Sequence, residues 1–198
     1  MKIDLHVHTA ERSACATVNE ENQIRAAIQK GIDGIAITDH DRLVPRERLL
    51  ALNKQFAPFK IFTGIEVSSD DLHWVVLGIH DPTLESLTWH YPDLLAFVRS
   101  RGGFILLAHP FRYKPILQVD LDAYPPDGIE SESINTPANR QSDIRTLAGR
   151  LGLMEIHNSD GHHAGGVGRY HNLLPRAAAD DRELVAVLLS MKQPAKLA

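Results

Sequence analysis

The sequence predicts an α/β domain built on a largely parallel sheet. Three observations carry this expectation. Short β-branched or alternating segments take turns with helix-patterned ones. Glycines and prolines punctuate the boundaries between them. Metal-ligating side chains recur where the strands end, as ligand groups do in such folds.

Ile3 to His8 alternates apolar and polar residues, the period of a strand, and places His6 and His8 on one face. Asn19 to Lys30 has apolar Ile24, Ala27 and Ile28 at helical spacing, with Gly31 at its end. Ile32 to Thr38 is a short β-branched run, expected as a buried strand. Pro45 to Phe56 is a second helix with proline at its start. Phe59 to Val67 and Trp74 to Ile79 follow as strands. Thr83 to Arg101 is largely helical, with a break expected at Pro92. Beyond Gly102-Gly103, Phe104 to Ala108 is the fifth strand. Pro110 to Pro126 carries several prolines and is irregular. Gly128 to Glu130 is a short strand, Pro137 to Leu151 a helix closed by Gly152, and Leu153 to Asn158 the seventh strand. A glycine- and histidine-rich loop covers Gly161 to Gly168, and Arg182 to Met191 is the last helix.

The 198 residues suffice for one domain with a real core, taken as 1–198. Acidic residues outnumber basic ones by 25 to 21, so no net positive charge draws the chain to nucleic acid or an anionic membrane. A single cysteine excludes an internal disulfide and a cysteine-based zinc finger. No segment reaches the ~20 apolar residues of a membrane span. The start, MKIDLHVHT, has no apolar signal region, so a cytoplasmic location is expected. Eleven histidines remain to be explained.

Six of the seven strand ends carry imidazole or carboxylate: His6 and His8, Asp39 and His40, Glu66, His80, His109, and Asp160 with His162. Imidazole nitrogen and carboxylate oxygen ligate Zn, Mn and Fe. His-Val-His alone is a weak signal. Its context, D-L-H-V-H-T followed by T-D-H, G-I-E-V, A-H-P and S-D-G-H, is specific.

This ordered set resembles the PHP (polymerase and histidinol phosphatase) superfamily. That family carries H-x-H-T, T-D-H, a glutamate in G-x-E, a histidine before an acidic-proline turn, A-H-P and D-x-H. These correspond here to His6 and His8, Thr38-Asp39-His40, Glu66, His80 in Gly78-Ile79-His80-Asp81-Pro82, His109, and Asp160-Gly161-His162. The resemblance implies a distorted (β/α)7 barrel with a metal cluster at the C-terminal strand ends. It implies His6, His8, His40, Glu66, His80, His109, Asp160 and His162 as ligands of two or three divalent ions, Mn, Zn or Fe. One departure stands out. Many members place a further ligand shortly after the first motif, where Thr9 to Cys15 offers only Glu11 and Cys15.

Asp39 and Asp4 are candidates for orienting ligand histidines, with a capping or surface role as the plain alternative for each. Glu130 and Glu132 lie near the sixth strand end. His73, His90, His157 and His163 match no motif and are expected as ordinary core, surface or loop residues. His171 divides evenly between substrate contact and structure. Arg112 and Arg169 are candidate phosphate contacts, because a guanidinium grips phosphate in bidentate fashion.

The expected function is metal-dependent hydrolysis of a small phosphomonoester by a metal-activated hydroxide, with Asp160 and His162 handling the proton. The alternatives are a phosphodiesterase acting on nucleotides or short oligonucleotides, and a non-catalytic metal-binding module. The expected partner is a small phosphorylated substrate.

Overall fold

A computed structural model describes residues 1–192; residues 193–198, the tail of the expected 1–198 domain, lie outside the described residues. The elements in chain order are β1 (Lys2–Val7), α1 (Glu20–Gln29), β2 (Gly34–Ile37), α2 (Arg46–Gln55), β3 (Lys60–Ser69), β4 (Leu72–Leu77), α3 (Tyr91–Ser100), β5 (Phe104–Leu107), β6 (Gly128–Glu132), α4 (Gln141–Leu151), β7 (Met154–His157), β8 (Asn172–Leu173) and α5 (Asp181–Met191). Asn19 caps α1 by accepting from the Asn22 N–H, and Gly152 ends α4 in the left-handed region at φ 65°. Pro92 does not split a long helix. It sits in the first turn of α3, where a missing N–H costs nothing, and the residues before it form a short 3₁₀ turn, Pro82–Glu85.

The eight strands form one sheet in the order β7-β6-β5-β4-β3-β2-β1-β8. It is less parallel than expected. β1–β2, β2–β3, β5–β6 and β6–β7 are parallel, but β4 runs antiparallel to both β3 and β5. β3 and β4 are joined by Asp70 and Asp71 alone. Both adopt positive φ, 51° and 60°, the geometry of a tight two-residue hairpin.

The sheet nearly closes on itself. Val7 at the end of β1 bridges Gly161, just beyond β7. The His8 N–H donates to the Gly161 carbonyl at 3.0 Å, and the Gly161 N–H donates to the His6 carbonyl at 3.2 Å. Glycine suits this close approach, because a Cβ would stand 3.0 Å from the Val167 nitrogen, tighter than an ordinary contact.

α5 plugs one end of this barrel. Its Leu184, Val185, Val187 and Leu188 share an apolar cluster with Ile3 and Leu5 of β1, Phe62 of β3, Val75 and Leu77 of β4, and Phe104 and Leu106 of β5. Asp181 at its start accepts from the Thr63 N–H, and Val185 packs against Gly78. The plugged end is therefore where the first half of β3 lies and where β4 ends. The start of β4 points to the other, open end.

A second cluster packs α3 and α4 on the outside of β3–β6. Its centre is Trp74, fully buried and stacked on Tyr91 with ring centroids 3.7 Å apart. Trp74→Ala is expected to cost about 3–5 kcal/mol through the cavity it leaves. A denaturant midpoint unchanged from wild type would contradict this packing.

Candidate metal centre

At the open end, seven side chains from six strand ends converge. His6 and His8 come from β1, His40 from the end of β2, Glu66 from β3, His73 from the start of β4, His109 from the end of β5, and Asp160 follows β7. Glu66 is the hub. Its Oε2 lies 3.3, 3.2 and 2.9 Å from His6 Nε2, His8 Nε2 and His40 Nδ1. Its Oε1 lies 3.0 Å from both His73 Nδ1 and His109 Nε2. Asp160 Oδ1 stands 3.5 Å from His6 Nε2 and 3.1 Å from His8 Nε2. The rings of His8 and His162 stack at 4.2 Å.

The outer partners of these imidazoles set where their protons sit. His6 Nδ1 faces Glu130 Oε1 at 3.0 Å, so this nitrogen carries the N–H. His8 Nδ1 lies 3.2 Å from Ser13 Oγ, whose own hydroxyl donates to Asp39 Oδ1 at 2.7 Å; Ser13 therefore accepts from His8. His162 Nδ1 donates to the Asp160 carbonyl at 2.9 Å. Each ring thus turns its Nε2 inward, free to carry a proton or to ligate a cation. His6 Nε2 and His8 Nε2 are 3.0 Å apart, and both face Glu66 Oε2 and Asp160 Oδ1. Those two carboxylate oxygens are buried and, among the described residues, receive no hydrogen bond. Four electron-rich atoms in one dry pocket repel unless positive charge sits among them. Protons supply part of it: burial lowers the His6 pKa, but Asp160, Glu66 and Glu130 outweigh burial and hold it well above its ordinary value. Glu66 is pulled the other way. Burial raises its pKa, and the facing histidines, His6 first, bring it well below the carboxylate range. Divalent cations fit this donor set fully, since every inward atom is a metal-ligand type.

Three groups of donors lie close enough to share an ion: His8, His40 and His162; His6, His8 and Asp160; His40, Glu66 and His73. His109 and Asp160 also adopt left-handed backbone, at φ 24° and 50°. Such conformations cost about 1–3 kcal/mol and concentrate at functional sites. The His109 N–H is held there by Glu130 Oε2 at 2.9 Å.

Of the residues singled out from sequence, His6, His8, His40, Glu66, His109, Asp160 and His162 meet here. His80 does not. It follows the end of β4, on the α5 side, and its Nε2 donates to the Val44 carbonyl at 2.8 Å. His73 stands in its place. A signal for this exists in the sequence. Only six residues separate Val67 from Trp74, too few for a parallel crossover, which needs a dozen or more. The pair must be a hairpin, so the start of the fourth strand faces the site. His73→Ala is expected to lower the metal bound per chain. His80→Ala should leave metal content unchanged and cost about 1 kcal/mol or less. Elemental analysis of the two purified variants gives the comparison.

Glu130 takes a supporting place, holding His6 and the His109 backbone while accepting from Asn158 at 3.1 Å. Asp39 accepts from the Thr9 N–H, Thr9 Oγ1, Ser13 Oγ and Arg12 Nε, so it fixes the loop after β1 and, through Ser13, the His8 ring. Asp4 accepts from the backbone of His6, Ser159 and Gly168. Glu11 turns away to accept from the Glu20 N–H. Cys15 lines a cavity of about 230 Å³ with Arg112, Asn135, Asp160, His162 and His163. Arg112 reaches within 3.5 Å of Asp160 Oδ2. Arg169 is exposed and lies over the Tyr170 ring, with no contact to the cluster.

Residues 4–158 match the PHP domain. The chain belongs to the PHP domain family. Its fold is similar to that of a candidate metal-dependent phosphoesterase from Bifidobacterium adolescentis, with a TM-score of 0.71 at 17% identity over 94% of this chain and 95% of that one. An amidohydrolase from Chromobacterium violaceum, solved with bound sulfate and no metal, gives 0.67 at 20% identity over 88% and 93%. An uncharacterized protein of Methanocaldococcus jannaschii is 26% identical over 145 residues, 66% of this chain and 80% of the relative. The nearly closed PHP barrel is the distorted barrel expected from the motifs, and family and fold agree with a metal-dependent hydrolase.

Proposed function

We propose that this PHP protein hydrolyses a small phosphomonoester at a centre of two or three divalent ions. The observation that carries this is the set of four ligand-type atoms, His6 Nε2, His8 Nε2, Glu66 Oε2 and Asp160 Oδ1, buried together, with Nδ1 of each histidine already committed to an outer partner. His6, His8, His40, Glu66, His73, His109, Asp160 and His162 would hold the ions. The overlapping donor groups favour more than one, and the mixed imidazole–carboxylate set suits Zn, Mn or Fe. Bound divalent cations supply a low-pKa water as nucleophile and positive charge for the phosphoryl oxygens.

The chain's own groups do the rest. Arg112 is poised at the cavity wall to bind a phosphoryl oxygen through its planar guanidinium. Asn135 Nδ2 donates to Asp160 Oδ2 at 2.7 Å and so turns Oδ1 inward. Burial, and then the neighbouring His8, lowers the His162 pKa, so this ring is neutral near pH 7. With Nδ1 given to the Asp160 carbonyl, Nε2 is its one free nitrogen, able to ligate an ion or, where it holds none, to accept a proton. No cysteine or serine nucleophile is needed.

Protein loaded with Mn, Zn or Fe is expected to release phosphate from p-nitrophenyl phosphate or from members of a metabolite panel. Replacing His8 and His109 together by Ala should abolish release. Unchanged turnover in that variant would remove the assignment.

A further inference from the structure

Beside the centre, a cleft of about 450 Å³ opens between the β3–β4 hairpin and the loop after β5. Its walls include His73, Ser69, Asp71, Trp89, Tyr113 and Lys114. Tyr113 is the notable wall residue. The Tyr113 ring lies 5.8 Å from that of His109, edge-on at 85°, and 5.6 Å from that of His73. It thus touches two residues of the cluster while remaining 57% exposed.

An exposed aromatic ring on an irregular loop is ordinarily free to swing. This one is tied on both sides. Arg112, before it, reaches Asp160 beyond β7 and lies over the Tyr113 ring at 5.0 Å. Lys114, after it, pairs with Asp71 at the hairpin tip. Farther along, Arg140 lies over the Phe111 ring at 4.1 Å and donates to the Pro115 carbonyl. The loop therefore reaches from Asp160 to the hairpin tip across the mouth of the barrel, with Tyr113 between these two ties. A ring fixed in place and exposed beside the cluster offers a preorganised apolar face to a ligand.

The chemistry of the cleft narrows that ligand. Asp70 and Asp71 against Lys114 leave it with a net negative lining, which repels a second anionic group. The cation Arg112 stands on the other side, in the smaller cavity with Asp160. The phosphate belongs with Arg112 and the leaving group with Tyr113. Aromatic surface from Tyr113 and Trp89 combines with hydroxyl and carboxylate acceptors from Ser69 and Asp71. That combination suits an uncharged ring with one apolar face and polar edges, whether aromatic or sugar-like.

Resting on the phosphoesterase reading above, we propose that Tyr113 determines specificity by packing against a ring carried by the leaving group. The test compares wild type, Tyr113→Ala and Tyr113→Phe on phenyl phosphate, glucose 6-phosphate and glycerol 3-phosphate. Wild type should favour at least one ring-bearing ester over glycerol 3-phosphate in kcat/KM. Tyr113→Ala should lower that preference by about tenfold, chiefly through KM, and Tyr113→Phe should restore it. A preference untouched by Tyr113→Ala, or wild type favouring glycerol 3-phosphate, would overturn the proposal. Phenyl phosphate and glucose 6-phosphate separate the aromatic ring from the sugar. Calorimetric binding of phenylphosphonate against methylphosphonate reads the same contact without turnover. Wild type must bind phenylphosphonate more tightly, and Tyr113→Ala must erase the difference. A protein that shows this difference yet hydrolyses none of the esters would leave the ring contact standing and remove the phosphoesterase reading instead.

Discussion

Glu66→Gln is expected to strip the centre of metal and reduce phosphate release by about a thousandfold. The side chain is fully buried, and its two oxygens meet five imidazoles drawn from four other strands. Glutamine keeps the shape but replaces one oxygen with an N–H₂ donor and removes the charge. Every imidazole on that side then faces either a donor or a weaker acceptor. Breaking a buried charged pairing lowers stability by about 3–5 kcal/mol; bound ions contribute several kcal/mol of transition-state stabilisation, and losing about 4 kcal/mol of it is about three orders of magnitude in rate. The prediction is checked by metal per chain and by phosphate release on the same preparation. A variant that keeps its full metal load and its turnover would show that Glu66 is a structural acid, held by histidines for packing alone. Asn135→Ala makes a graded companion: it leaves every inward donor in place and removes only the 2.7 Å bond that orients Asp160. Such supporting contacts are worth about 10–100-fold in activity or affinity.

The contrast between His80 and His73 shows what a sequence can and cannot carry. Motifs at strand ends converge in the fold wherever the strand keeps the common direction, as at His6, His40, His109 and Asp160. The inference relied on a single premise, that strand C-termini share one face, and β4 breaks it. The break is written in connection length, since the Asp70-Asp71 turn leaves no room for a helix. Other features were beyond a linear reading. Glu130 carries no motif, and its value lies in reaching His6, 124 positions away, and the His109 backbone at once. Tyr113 lies in a proline-bearing stretch without periodicity, so nothing local fixes it. Its place comes from two ion pairs to Asp160 and Asp71, residues remote in the chain. The sequence predicts a helix over Arg182 to Met191, but the role of α5 as the plug of the barrel depends on meeting β1, β3, β4 and β5 together. Side chains that act through local pattern are legible. Those that act through convergence of distant segments are not.

Removing the metal is expected to make stability depend steeply on pH, in a direction set by the cluster. In metal-free protein the three surrounding carboxylates more than offset the burial of His6 and raise its pKa. A raised imidazole contributes stability that is fully present below its unfolded value of about 6.5 and is lost as pH climbs through the folded value. Glu66 and Asp160 shift oppositely, since burial raises them but the histidines facing them, His6 first, prevail and lower both. Their contribution is present above the unfolded carboxylate range, about 4, and is lost only as pH falls through the lowered values. Metal-free protein should therefore be most stable between about pH 4.5 and 6.5 and weaken toward pH 8.5. Divalent ions replace the His6 proton as the compensating charge and bind better once that proton has left, so the loaded protein should hold its stability over the same alkaline range. At about a thousand times the dissociation constant, binding adds about 4 kcal/mol. For a chain of this size that is about 8–16 °C in Tm. Thermal scans of chelated and loaded protein from pH 6 to 8.5 should diverge as pH rises, and proton release on loading at pH 7 should be measurable by titration in buffers of different ionisation enthalpy. Parallel curves with no proton release would mean that His6 is neutral without metal, and that the four inward donors are separated by something other than charge.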